Sequence, residues 1–359
     1  MQYTECLGRP RLTELKIEQP NEKIRERVQQ NWDAVAKPLD GMGRFETIID
    51  QIGAIQGSTQ IDIAKKAVII MCADNGVVAE GVSQSGQEVT FAVARSMAKQ
   101  QSSVGQMAAA IGADTIPVDI GINSTEQVTG LLDKKVRPGT RNFALEPAMT
   151  VDETRRAIEV GIEMVHMCRK AGYGILATGE MGIGNTTTSA AMAAALLGCD
   201  VQSVTGRGAG LNDRGLAIKE SVIRDALEKY ELYQADAFTI LRTVGGLDIA
   251  GLAGVCIGGA RYHIPIVLDG VISMVAALAA ERMVPGVKAY MIASHSGKEP
   301  AVGPLTEALG LEPVIDGQLA LGEGTGAVMM FALLDLAMSI YSDRTTFGDI
   351  KVTPYERYV

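Results

Sequence analysis

The sequence predicts an α/β fold: a parallel sheet of about six strands with helices on both faces, joined by a smaller, mainly helical unit. Three observations predict it. Short apolar runs recur along the chain, and each breaks off in glycine or polar residues. Alanine-rich or amphipathic segments separate most of these runs, and strands alternating with helices imply parallel pairing through right-handed crossovers. Two amphipathic segments precede the first run and a long apolar one follows the last. The chain ends are therefore expected to form the smaller unit, residues 1–59 with 321–359, beside a large unit over 60–320.

Residues 1–20 read as irregular, with Pro10 and Pro20 as breakers. Residues 22–37 read as a helix with Ile24, Val28, Trp32 and Ala36 on one face, stopped by Pro38. Asp40-Gly41-Met42-Gly43 is a turn, and Phe45, Ile48, Ile49 and Ile52 mark a second amphipathic helix. Residues 67–73 are almost continuously apolar, as in a strand covered on both faces, and end in Asp74-Asn75-Gly76. Residues 116–121 make a weaker strand. Residues 173–178 make another, leading into glycine-rich sequence. Residues 201–204 read as a strand running into Thr205-Gly206-Arg207-Gly208-Ala209-Gly210. Residues 264–268 run into Asp269-Gly270, and 289–293 into Ser294-His295. Residues 324–341 form an apolar helix whose only charge is Asp335. The helical flanks are Rossmann-like. Ligands of such sheets bind beyond the strand C-termini, so Asp74, Asp119, Glu180, Arg207, Asp269 and His295 are expected to converge on one rim.

The stretch Gly179-Glu180-Met181-Gly182-Ile183-Gly184-Asn185-Thr186 joins the 173–178 strand to a strong helix former over 189–197. Its spacing approaches a P-loop, but Asn185 stands where the lysine belongs. Glycines here free backbone N–H groups for an anion at the helix N-terminus. The reading is a cradle for a monophosphate; the alternative is a tight turn without a ligand.

Composition narrows the function. The chain has 359 residues, 47% hydrophobic, 4% aromatic, with net charge −9. The absence of a basic block argues against nucleic-acid binding. Five scattered cysteines, Cys6, Cys72, Cys168, Cys199 and Cys256, form no CxxC pair and imply neither disulfides nor zinc. The polar start is not expected to be a signal peptide, and no apolar run is expected to reach the ~18 residues of a membrane span. A soluble cytoplasmic protein is expected.

Leu321-Gly322-Glu323-Gly324-Thr325-Gly326 sets one carboxylate among three glycines. A partly desolvated carboxylate there has the pKa of a general base; the alternative is an acid that stabilises a helix start. Residues 205–211 fit the dinucleotide fingerprint poorly, because the third glycine falls one residue early. Lys219 is placed either to meet a phosphate or to sit in solvent. His166, His263 and His295 lack metal-ligand spacing, and only His295 falls on the expected rim. There is no nucleophile elbow. Nor is there a strand ending in paired acids and a Thr-Gly loop, the usual binder of phosphoribosyl pyrophosphate.

Several stretches, taken in order, resemble one family: Lys37-Pro38 with Gly43-Arg44-Phe45-Glu46; residues 73–83; residues 179–187; Gly206-Arg207-Gly208; residues 245–250; Val267-Leu268-Asp269-Gly270; Ser294-His295; and residues 321–326. The family is nicotinate-nucleotide–dimethylbenzimidazole phosphoribosyltransferase, which activates the lower ligand of cobamides such as vitamin B12. The resemblance implies transfer of the phosphoribosyl group of nicotinate mononucleotide to an aromatic base, with release of nicotinate and no cofactor or metal. It implies that Glu323 is the catalytic base. It also implies that Glu180, Gly182, Gly208 and Lys219 hold the donor's ribose and phosphate, that Asp269 lies nearby, and that two chains pair, as a homodimer or with a paralogue.

Three departures from the family pattern bear on substrate. Ser294-His295-Ser296-Gly297-Lys298-Glu299 replaces the usual Ser-His-x-Ser-Ala-Glu, removing one donor-contacting side chain. Ser85-Gly86 replaces Ser-Pro, leaving Ser85 to meet the acceptor. Val93 stands where some members carry a glutamine that bonds the benzimidazole. A buried ring nitrogen left unpaired costs ~1–3 kcal/mol. A phenol such as p-cresol, joined through oxygen, has no such nitrogen and is the alternative acceptor. Two further readings are a non-catalytic partner subunit, which the retained Glu323 opposes, and a Rossmann dehydrogenase, which the misplaced glycines oppose.

Overall fold

The computed structural model describes residues 15–357; the reading of the first residues and Cys6 lies outside them. Helix α1 (Glu22–Ala34) and α2 (Arg44–Gln56) precede β1 (Lys66–Ala73). Then come α3 (Glu88–Ala98), α4 (Ser103–Ala110), β2 (Asp114–Gly121), β3 (Leu132–Asp133) and α5 (Val151–Lys170). Strand β4 (Ile175–Met181) leads into α6 (Asn185–Leu197), followed by α7 (Val201–Val204), α8 (Asp213–Lys229), α9 (Ala237–Val244) and α10 (Leu247–Tyr262). Strand β5 (Ile266–Leu268), α11 (Val271–Met283), β6 (Met291–Ala293), β7 (His295–Gly297), α12 (Val302–Leu309), β8 (Ile315–Leu319) and α13 (Thr325–Ser342) complete the fold.

Six strands pair in parallel in the order β3-β2-β1-β4-β5-β6, the doubly wound arrangement; β7 and β8 form a separate parallel pair. Every residue of β1 is buried, as both-face coverage demands. Ala67, Ile69 and Met71 point into one apolar cluster, with α5, α6, α10 and α11. Val68, Ile70 and Cys72 point into the other, with α1, α2, α3, α4 and α13. The terminal helices α1, α2 and α13 thus help to cover one face of the sheet.

The sheet has the expected six strands, but one of them is a different segment. Residues 201–204 are helical, because the Asp200 side chain accepts the Gln202 N–H at 2.7 Å and starts a turn. The sixth strand is the exposed two-residue β3, which pairs with Val118 and Asp119. Helix α1 also stops before Lys37: Val35 bridges Thr346, and the Ala36 N–H donates to the Thr345 carbonyl at 2.9 Å. Helix α13 corrects the membrane reading as well. With 18 residues and mean hydropathy 1.5 it is long and apolar enough to cross a bilayer, yet 56% of it is buried in the protein. Its Asp335 pairs with Lys66 at 2.6 Å.

Candidate active site

The strand order reverses between β1 and β4, and ligands of open parallel sheets bind beyond such a switch point. The register Met71↔Glu180 and Cys72↔Met181 puts Asp74-Asn75 on one lip of this crevice and the end of β4 on the other. The Gly322-Glu323-Gly324 loop comes against β4 from the opposite end of the sequence.

All three loop residues have positive φ: 79°, 63° and 95°. Holding a glutamate in that region costs ~1 kcal/mol or more and is characteristic of functional loops. Surrounding contacts fix it. The Glu323 N–H approaches Glu180 Oε1 at 3.4 Å. Its carboxylate Oε2 accepts the Val104 N–H at 3.2 Å, in the first turn of α4. A β-carbon at Gly179 would stand 2.5 Å from the Glu323 carbonyl oxygen, so the loop seats against a strand position where only glycine fits. Burial raises the Glu323 carboxyl above its ordinary range; the Val104 N–H opposes this and the Asp269 charge adds to it.

Asp269, at the end of β5, anchors the same loop to α13. Its Oδ1 accepts the N–H groups of Gly326 at 2.9 Å and Ala327 at 3.3 Å, and its Oδ2 accepts that of Gly324 at 3.2 Å. A carboxylate is suited to a helix N-terminus, where unpaired N–H groups and the dipole favour negative charge. His295 is buried beside it, with Nδ1 2.9 Å from Ser294 Oγ and 4.0 Å from Asp269 Oδ1.

At the other end of the β4–α6 segment lies Lys219, 0% exposed. Its Nζ donates to Thr186 Oγ1 and to the Gly206 carbonyl, both at 3.0 Å. Among the described residues no carboxylate lies within salt-bridge distance of it. Burial lowers its pKa to about 8, against the opposing pull of Glu299. A buried ammonium without a counter-charge is costly and calls for an anion. Gly208, with φ 51°, packs its α-carbon side toward Thr186 Oγ1.

Other rim expectations divide. Gly182 lies in the β4–α6 turn, and several of the turn's N–H groups are used within the protein. The N–H groups of Ile183, Asn185, Thr187 and Thr188 are already bonded to Thr90 Oγ1 and to the carbonyls of Gly182 and Gly184. Gly179, Glu180 and Met181 belong to β4 itself. Asp74 accepts the Asn123 N–H at 2.7 Å, and Asp119 pairs with Lys135 at 3.0 Å. Arg207 turns outward to Asp213 and does not join the rim. Ser85 is half-buried in the loop before α3. Val93, on α3, packs against the same apolar cluster as Phe91 and Met181.

Three side chains in stretches that the sequence reading singled out were given no binding role there. The Asn185 side chain bridges Glu180 and Asp248, and Thr186 shares Lys219. A weak signal existed for Asp248, which opens a helix carrying no other charge until Arg261.

The relatives of this chain are consistent in kind. A phosphoribosyltransferase family profile matches residues 17–352. The nicotinate-nucleotide–dimethylbenzimidazole phosphoribosyltransferase of Acetivibrio thermocellus is 44% identical over 332 residues, covering 92% of this chain and 95% of that one. The protein of the same name from Ruminiclostridium cellulolyticum is 39% identical over 340 residues, covering 95% and 97%. The crystal structure of CobT from Thermus thermophilus superimposes with a TM-score of 0.87 at 36% identity, over 92% of this chain and 99% of that one.

Proposed function

Since the chain belongs to the nicotinate-nucleotide–dimethylbenzimidazole phosphoribosyltransferase family, we propose that it moves the phosphoribosyl group of nicotinate mononucleotide to an aromatic acceptor through the Glu323 site. One observation carries the assignment of roles. The single β4–turn–α6 segment has the Glu323 loop seated on its strand end and the buried Lys219 ammonium, with no carboxylate among the described residues in salt-bridge distance, at its helix end.

The donor's phosphate goes to Lys219, beside Thr186, Gly206 and Gly208. The ribose lies along the turn at Gly182, within reach of Glu180. The C1′–N bond to the pyridinium breaks and its electron pair returns to the ring nitrogen, releasing nicotinate. An acceptor ring nitrogen forms the new bond to C1′, and the acceptor's N–H proton passes to Glu323. A cationic leaving group needs no metal-bound pyrophosphate, which suits a site built on one lysine. Positioned general bases typically contribute ~10²–10⁴-fold.

Val93 favours a second reading of the acceptor. Its apolar side chain offers no hydrogen bond to a second ring nitrogen, whereas a phenol such as p-cresol requires none and would give up its hydroxyl proton to Glu323. The test is nicotinate release by the purified protein with dimethylbenzimidazole and with phenol, side by side. Release dependent on either acceptor supports the transferase. Release with neither contradicts it, and exclusive use of the benzimidazole removes the phenolic reading.

A further inference from the structure

One carboxyl that solvent does not reach has no role so far. Asp248, in the first turn of α10, is 0% exposed. Its Oδ2 accepts the Asn185 Nδ2–H at 3.1 Å, and its Oδ1 accepts the Ile249 N–H at 3.0 Å. The same Asn185 nitrogen donates to Glu180 Oε2, and Glu180 Oε1 faces the Glu323 N–H. A single primary amide therefore ties two carboxyls together, and the second of them touches the backbone of the catalytic candidate. The chain keeps space for this link. A β-carbon at Gly182 would stand 2.6 Å from Asp248 Oδ2, and one at Gly246 would overlap Asp248 Oδ1.

We propose that Asp248 is a positioning residue for the transfer: the Asn185 amide ties it to Glu180, the pair retains one proton, and the link fixes the Glu323 loop against β4. The inference rests on the function proposed above. The groups around the pair explain the proton. Glu180 faces Asp248 and Asp269; Asp248 faces the amides of Asn75 and Asn185; the Cys72 thiol beneath feels both carboxyls and Asp119. Lys135 is engaged by Asp119, and His295 lies beside Asp269, its Nδ1 4.0 Å from Oδ1. Among the described residues no Lys, Arg or His nitrogen lies within salt-bridge distance of either carboxyl. Two buried negative charges joined by a neutral amide have no neutralising partner except a retained proton. Burial accordingly pushes Glu180 to about 7 and Asp248 to about 6, and the neighbouring Asp248 charge adds to the rise at Glu180.

The competing account is that Asp248 only caps the first turn of α10, a role Asp248→Asn would largely preserve. Infrared difference spectra of the full chain, titrated from about pH 8 to about pH 5.5, distinguish the two. The wild type should gain a protonated-carboxyl band in this window, and Asp248→Asn should shift that band to lower pH by about one unit or more. Glu180→Gln should shift the remaining carboxyl the same way, which keeps the test usable if one variant folds poorly. In the transferase assay Asp248→Asn should lose about tenfold or more in kcat, with KM for nicotinate mononucleotide within about twofold. An unchanged titration or an unchanged kcat overturns the inference. The infrared measurement needs no turnover, so its failure is separable from failure of the transferase itself.

Discussion

The carbonyl oxygen of Glu323 lies against Gly179 of β4, 2.5 Å from the point where any larger residue would place its β-carbon. Residues 144 positions apart in sequence thereby set the height of the Glu323 loop above the sheet. Gly179→Ala should displace that loop, because the obstruction is backbone and Ile70 and Val68 close the other sides at 3.0 Å. The expected result is a fall in kcat of about tenfold or more, with ~1–3 kcal/mol of lost stability. Steady-state kinetics and denaturant unfolding measure both; wild-type values for both contradict the packing argument.

Asp269 is expected to act through the loop. Asp269→Ala leaves the N–H groups of Gly324, Gly326 and Ala327 without their acceptor. A stability loss of ~1–3 kcal/mol follows from the unpaired donors. Turnover should fall by about tenfold or more as Glu323 loses its register. Asp269→Asn, which keeps one acceptor oxygen, should lie between. An alanine variant that melts like the wild type and turns over at its rate contradicts this role.

Phosphate binding by Lys219 is expected to give the donor affinity a pH dependence. Its lowered pKa, about 8, means that the free protein loses the ammonium as pH rises through that value. KM for nicotinate mononucleotide should therefore climb between about pH 7 and about pH 9, while kcat at saturation changes little, since bound phosphate favours the charged form. Lys219→Arg, which stays charged, should flatten the climb. Folding stability should move oppositely. From about pH 8 toward the ordinary lysine range the folded state binds fewer protons than the unfolded, so this group's contribution rises with pH. A KM independent of pH across the window contradicts phosphate binding by Lys219.

Much of this architecture is legible in the sequence, for identifiable reasons. The residue 67–73 run is β1 because continuous burial requires continuous apolarity, and Glu323 stands out as the one carboxylate with a glycine on both sides. Residues 201–204 mislead because valines at both ends imitate a strand, while the decisive signal is the capping Asp200 one residue earlier. Strand β3 is two exposed residues held by pairing alone and carries no apolar pattern. The Asp248–Asn185–Glu180 link joins positions on α10, α6 and β4, and local spacing holds no trace of such contacts. The glycines around the end of β4 invite a reading as anion ligands. Gly179 and Gly182 instead make room for neighbours that only the folded chain brings near.

The central claim is that Glu323 takes the acceptor's proton. Nicotinate release by Glu323→Gln, followed at saturating donor and acceptor beside the wild type, tests it most directly. The account predicts a rate lower by ~10²–10⁴-fold, with KM for nicotinate mononucleotide within about twofold and an unchanged fold. It also predicts that the wild-type rate falls as pH drops through the raised Glu323 pKa and that the variant lacks this limb. A glutamine variant that releases nicotinate at the wild-type rate contradicts the account.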